Sequence, residues 1–206
     1  ANLHEWIANH PAALGEELLI IQKEFSGFAD TAERLDLLAL DQQGKLVIIE
    51  NKLDDSGRDV TWQALKYASY CSSLSKEQIR SIFQQYLDQT GGGQASDRLA
   101  EFFQAEYEEL DLNSGLSQRI VLIAGAFRKE VTSTVLWLMN YKLQVQCYEA
   151  TVYSLGDSLF LSLEQIIPLR GAEDYIIGMA EKTQEDAVRQ KEIPERYRIR
   201  REFWTY

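Results

Sequence analysis

The alternation of greasy and polar positions divides the chain into short strands and amphipathic helices. After Pro11, the stretch "AALGEELLIIQKEF" carries Leu14, Leu18 and Ile21 at helical spacing and predicts a first helix, running into an extended segment near Phe25 to Phe28. Two strands are expected at about 33–41 and 45–52, joined by "QQG". A helical region follows over about 58–88, broken near "SSLSKEQ", where Ser75 and Gln78 have the spacing of a capping box. "TGGGQASD" reads as a loop, because it follows a helix and so lacks the strand that would precede a phosphate-binding turn. Beyond it the pattern predicts a helix at 97–109, a buried strand "RIVLIAGAF", a helix "EVTSTVLWLMNY", and strands in "LQVQCYEATVYS" and "SLFL". Helix, strands, helices, strand, helix, strand is the order of an α/β domain with a mixed central sheet flanked by helices.

The hairpin loop fixes which side chains share a face. Three-residue hairpin loops place Gly in the left-handed position that closes a bulge, and Gly44 fits that place. With Gln42, Gln43 and Gly44 in the loop, Asp41 pairs with Lys45, and counting back sets Asp36 opposite Glu50. Side chains alternate, so Arg34, Asp36, Leu38 and Leu40 lie on one face with Leu46, Ile48, Glu50 and Lys52. Two carboxylates directly opposed in a sheet repel unless a cation sits between them. Salt bridges to Arg34 and Lys52 at a strand end open to water would satisfy that demand. So would a divalent metal, since carboxylate oxygens suit Mg²⁺ or Mn²⁺ and a nearby lysine can stabilise charge developing on a phosphate.

Composition narrows the field. With 206 residues and 45% hydrophobic content the chain can bury a core. A formal net charge of −11 weighs against a surface that clamps nucleic acid everywhere. Two local basic sets remain: Lys23, Arg34, Lys45, Lys52, Arg58 and Lys66 around the hairpin, and the tail "RQKEIPERYRIRREFW" with Tyr197 and Trp204. Cys71 and Cys147 stand apart, with no CxxC or Cys/His cluster, and His4 and His10 are the only histidines, so no zinc site or histidine triad is indicated. No apolar run approaches the ~20 residues that span a bilayer, and no signal pattern opens the chain, so no membrane partner and a cytoplasmic location are expected. The first residue is not Met and the last lie in an amphipathic, aromatic pattern, so a longer parent protein is expected.

An Asp on one strand, an acidic-x-Lys on the next and a helix after them resemble the core of the PD-(D/E)XK nuclease superfamily. "WQALKYASY" adds Gln63 and Tyr67, similar to the Gln-x-x-x-Tyr signature of one branch. More closely, "LGEELLIIQKEF", "ERLDLLALD", "VIIENKLDDSGRDVTWQALKYASYCSSL" and "RKEVTSTVLWLMNY" resemble uncharacterised bacterial nuclease-like proteins in which a further domain of unknown function follows. The resemblance spans about 14–169, and Leu35 stands where the motif's name has Pro.

The resemblance implies a restriction-endonuclease-like core of helix, three strands, helix and strand over 1–170, with 171–206 a helical, charged segment leading to a further domain. It implies a Mg²⁺- or Mn²⁺-dependent nuclease acting on DNA, with Asp36, Glu50, Lys52 and Gln63 catalytic. The metal would be held by Asp36, Glu50, Asn51 through its backbone carbonyl, and a first-helix Glu, for which Glu16 and Glu17 are both open. Arg34, Arg58, Lys66 and Tyr67 are the expected substrate contacts, Tyr67 also supporting the helix face. DNA and a further domain of the same chain are the expected partners, and a homodimer is left open. The alternative is a nuclease-fold binding or assembly module with weak or no catalysis. Trp62 and Tyr70 could stack on bases, but their helical spacing favours the core. Asp54, Asp55 and Asp59 could shape the mouth of the site, while Asp55 or Ser56 could instead cap the next helix.

Overall fold

The computed structural model describes residues 3–26, 34–55, 59–115, 117–156 and 158–169, with the side chains of 53–55 left aside. The segment 171–206 and Arg58 therefore lie outside the described residues. A short helix α1 (Leu3–Asn9) leads through a 3₁₀ turn at Pro11–Leu14 into strands β1 (Leu18–Phe25), β2 (Leu35–Asp41) and β3 (Leu46–Asp55). Three helices follow, α2 (Val60–Ser72), α3 (Lys76–Thr90) and α4 (Ala95–Phe103), then β4 (Arg119–Ala126), α5 (Lys129–Met139), β5 (Gln144–Leu155) and β6 (Ser158–Ile167).

The six strands form one mixed sheet in sequence order, β1-β2-β3-β4-β5-β6. β3, β4 and β5 are parallel neighbours, and the other pairs are antiparallel. The parallel centre consists of apolar runs, Leu46–Ile49 and Ile120–Ala124, as expected for strands covered on both faces. One face packs on α2, α3, α4 and α5. Leu38, Leu40, Leu46 and Ile48 meet Tyr67, Ile79 and Phe83 there, while Ile120 and Leu122 meet Val60, Ala64, Val131 and Val135. The other face, with Leu37, Ala39, Val47, Ile49, Val121 and Ile123, is covered by Ile7 of α1 and by Leu14. The expected mixed sheet flanked by helices is therefore the observed class.

Gly44 holds the hairpin together as its place in the sequence demands. Its φ is 76°, and its N–H donates to the Asp41 carbonyl at 3.0 Å. A Cβ there would come within 2.4 Å of the Asp111 carbonyl oxygen, so close approach excludes a side chain as firmly as the backbone angle does. The capping box of α3 also forms, with Ser75 and Gln78 each accepting the other's backbone N–H.

The first helix is corrected. Residues 18–25 are an edge strand and the helix lies earlier, at Leu3–Asn9. Leu14, Leu18 and Ile21 happen to fit a helical period because a register irregularity between Ile20 and Gln22 breaks the alternation that would have marked a strand. No helix among the described residues is long and apolar enough to cross a membrane.

Candidate active site

The antiparallel register of β2 on β3 is Leu37 with Ile49, Leu38 with Ile48, Ala39 with Val47 and Leu40 with Leu46, the register that the Gly44 loop dictates. One step further along brings Asp36 level with Glu50, where the ladder gives way to a side chain. The Asn51 N–H donates to Asp36 Oδ2 at 2.7 Å, anchoring this carboxylate at the strand end.

Glu50 lies opposite Leu122 of β4 and is 0% exposed. Neither of its carboxylate oxygens accepts a hydrogen bond among the described residues. Among the described residues, the cation paired with it is Lys52, whose Nζ lies 3.7 Å from Oε2. Burial, and then the neighbouring Asp36 carboxylate, push the Glu50 pKa up to about 8, with Lys52 and the nearby Asp36 backbone N–H only partly offsetting them. Burial also raises Asp36 above the usual carboxylate range, against the Asn51 N–H and the Lys52 charge. Of the expected salt bridges, Lys52 with Glu50 forms at 3.7 Å, but Glu50 is sealed from solvent and Arg34 pairs with Glu24 at 3.3 Å.

A chain of polar groups leads from Lys52 into the core. Lys52 Nζ donates to Gln63 Oε1 at 3.3 Å, Gln63 Nε2 donates to the Tyr67 hydroxyl at 3.0 Å, and that hydroxyl donates to the Arg34 carbonyl at 3.0 Å. Gln63 and Tyr67 stand one turn apart on α2, which lets the buried phenol orient the carboxamide and the carboxamide orient the lysine. Tyr67 is wholly buried, so its expected contact with substrate is corrected to a prop for Gln63. Lys66 is half-buried, its ammonium 5.7 Å from the centre of the Tyr67 ring.

Glu16 and Glu17 are not at this site. They precede β1 at the hairpin end of the sheet, five residues from Asp36 along β2, or roughly 17 Å at the rise of a strand. Both Glu16 oxygens take hydrogen bonds from Arg119, at 2.6 and 2.7 Å, and Glu17 accepts from Gln42 at 3.1 Å. The acidic residue of the actual first helix is Glu5, held by Lys23 at 2.8 and 3.0 Å. His4 and Glu24 also stand near enough for their charges to act on Asp36. The signal for these was the "LHEW" segment, whose Leu3 and Ile7 are spaced as one face of a short helix. Asp59 occupies the N-cap of α2 but makes no side-chain capping bond. Trp62 is 69% exposed and Tyr70 41%, so neither is a core residue.

Among the described residues, no group of three or more His, Cys, Asp and Glu is arranged to hold a metal ion. The acidic donors at this site are Asp36 and Glu50. Their oxygen chemistry, and above all the buried, unbonded oxygens of Glu50, fit a divalent cation.

No protein-family model and no curated protein matches the chain. Among solved structures, it is similar to EndoMS in a structure of the EndoMS-dsDNA2 complex, with 14% identity, a TM-score of 0.40, and coverage of 71% of this chain and 43% of that one. It is also similar to a repair endonuclease from Pyrococcus abyssi, with 17% identity, a TM-score of 0.37, and coverage of 71% and 45%. The chain thus spans less than half of either protein, and likeness of this degree carries no functional argument.

Proposed function

We propose that the protein is a divalent-metal-dependent phosphodiesterase of the PD-(D/E)XK type acting on DNA. The observation that carries this reading is Glu50: a fully buried carboxylate whose oxygens accept no hydrogen bond, beside a second carboxylate and a lysine. Burying such a group costs several kcal/mol unless something compensates it, and a structural ion pair would have its lone pairs filled.

Asp36, Glu50 and the backbone carbonyl of Asn51 would hold Mg²⁺ or Mn²⁺. The cation would supply Lewis acidity toward a phosphate oxygen and lower the pKa of a coordinated water. Glu50 must shed its proton to bind it, so affinity rises with pH toward about 8. The Lys52 ammonium stabilises negative charge growing on the phosphate, and Gln63, held by Tyr67, keeps that ammonium in place. Arg34 is exposed at the strand end and meets the DNA backbone there. With a net charge of −11, binding is weak and strongly salt-dependent.

One observation favours a second reading, a binding or assembly module with little catalysis. Among the described residues the donor set has two acidic members, which makes for a low-affinity metal site.

Cleavage of labelled single- and double-stranded DNA with Mn²⁺ decides between the two, when each Lys52→Ala measurement is paired with a melting curve. The nuclease reading expects turnover to fall by about two to three orders of magnitude, the worth of one charge-stabilising donor. Full activity in a destabilised Lys52→Ala protein contradicts a catalytic lysine, and no cleavage by the wild type under any metal leaves the binding module.

A further inference from the structure

We propose that the groove between α2 and α5 receives an unpaired nucleobase stacked on Trp62, so that the substrate is DNA single-stranded next to the bond that reacts. This rests on the reading of the neighbouring site as one that acts on DNA, and it adds the form of the strand.

Trp62 sits immediately before Gln63 on α2, yet 69% of it is exposed, whereas the residues around it in the helix, Val60, Ala64 and Tyr67, are buried. The indole forms one wall of a cavity of about 320 Å³ whose other sides are Thr61, Leu65, Glu130, Val131 and Thr134. α2 starts just after β3 and α5 just after β4, and these strands are parallel neighbours. The groove between the helices therefore begins at the end of the sheet that carries Lys52, and successive nucleotides of one strand could reach both places.

The lining selects the occupant. Leu65, Val131 and the indole face offer flat apolar contact, while Thr134 and the Glu130 carboxylate offer polar atoms at the edge. The Thr61 hydroxyl is buried without a hydrogen bond among the described residues. A nucleobase has that dual character, two apolar faces and a rim of donors and acceptors, and a carboxylate at the rim accepts from an exocyclic amine. An aliphatic protein helix has no such rim. A base paired inside a duplex keeps its faces stacked on its neighbours and cannot lie on an indole, whereas a single strand can. Stacking needs no large positive charge, which suits a chain of net charge −11.

The test is binding, measured by fluorescence anisotropy in EDTA so that nothing is cleaved. Two labelled probes of equal length are compared, a deoxycytidine oligomer, whose bases carry an exocyclic amine, and an abasic oligomer with the same phosphates. The wild type should bind the deoxycytidine strand about ten- to a hundred-fold more tightly, the worth of one stacked base. Trp62→Ala should lose that preference without weakening the abasic probe, Trp62→Phe should keep part of it, and the Trp62-dependent increment should be insensitive to salt. The exposed position of Trp62 lets these variants fold, which a melting curve verifies. The proposal falls if the wild type shows no preference, if Trp62→Ala keeps it, or if Trp62→Ala weakens both probes equally. It falls also if Trp62→Ala changes the sedimentation of the protein and not its DNA binding, which would make the groove a protein contact. A preference without any cleavage would sink the nuclease reading and leave the stacking; cleavage without preference would do the reverse.

Discussion

The β2–β3 hairpin carries two clusters of acid and base, one at each end, and they differ in how completely they are bonded. At the turn, Asp41 Oδ1 accepts the N–H groups of Gln43 and Lys45, both at 2.9 Å, and Oδ2 accepts from Arg119 at 3.0 Å. Arg119 also grips both oxygens of Glu16. Asp41 is 2% exposed and Arg119 9%, so the cluster is as buried as the other, yet its charges are met. At the open end, Glu50 is 0% exposed, and among the described residues its oxygens accept no well-formed hydrogen bond, the Lys52 ammonium standing 3.7 Å away. Similar residues thus stand at two ends: saturation makes one cluster a clasp, and unfilled oxygens leave the other a candidate site.

The comparison predicts opposite mutational behaviour. The largest effect on stability belongs to the clasp. Replacing Arg119 with Met leaves Asp41 buried with its backbone hydrogen bonds but without its counter-ion, and should cost about 3–5 kcal/mol in urea unfolding. Any cleavage activity per folded molecule should survive. A mutant with full stability and lost activity would reverse the roles assigned to the two ends.

An effect of a different kind, spread over several pH units, is expected at Glu50. Its pKa in the fold, about 8, lies above the ordinary 4.5, so the folded state holds a proton that the unfolded chain releases. That contribution is fully present below about pH 4.5 and is lost as pH rises toward 8. In EDTA, stability should therefore decline across this window by on the order of 1 kcal/mol per pH unit. Glu50→Gln, which is neutral throughout, should flatten the decline. Identical pH profiles for the two proteins would show that Glu50 titrates normally, and with that the contrast between saturated and unsaturated ends would disappear.

Much of this was legible in the sequence because the hairpin is governed by local rules. A single glycine in the left-handed position set the loop, the loop set the register, and the register put Asp36 across from Glu50. The step of four residues on a helix put Gln63 beside Tyr67. What misled was a segment whose packing is not local. Residues 18–21 are apolar four in a row, a run that an edge strand with an irregular register shares with one face of a helix. The expectation that Glu16 or Glu17 completes a metal shell depends on that misassigned helix. Arg119, the actual partner of Glu16, lies about a hundred residues away and left no mark in the spacing. Trp62 was expected in the core on helical period alone, but exposure depends on which side of α2 the sheet and α5 leave open.

The central claim is that the open end binds a divalent cation and the turn end does not. The most direct measurement is the melting temperature with and without Mn²⁺ at pH 8 for the wild type, Asp36→Asn and Glu16→Gln. A ligand that binds only the folded state raises the melting temperature. The account predicts a rise in the wild type, the same rise from a lower baseline in Glu16→Gln, and none in Asp36→Asn. An equal rise in all three proteins, or a rise lost in Glu16→Gln and kept in Asp36→Asn, would contradict it.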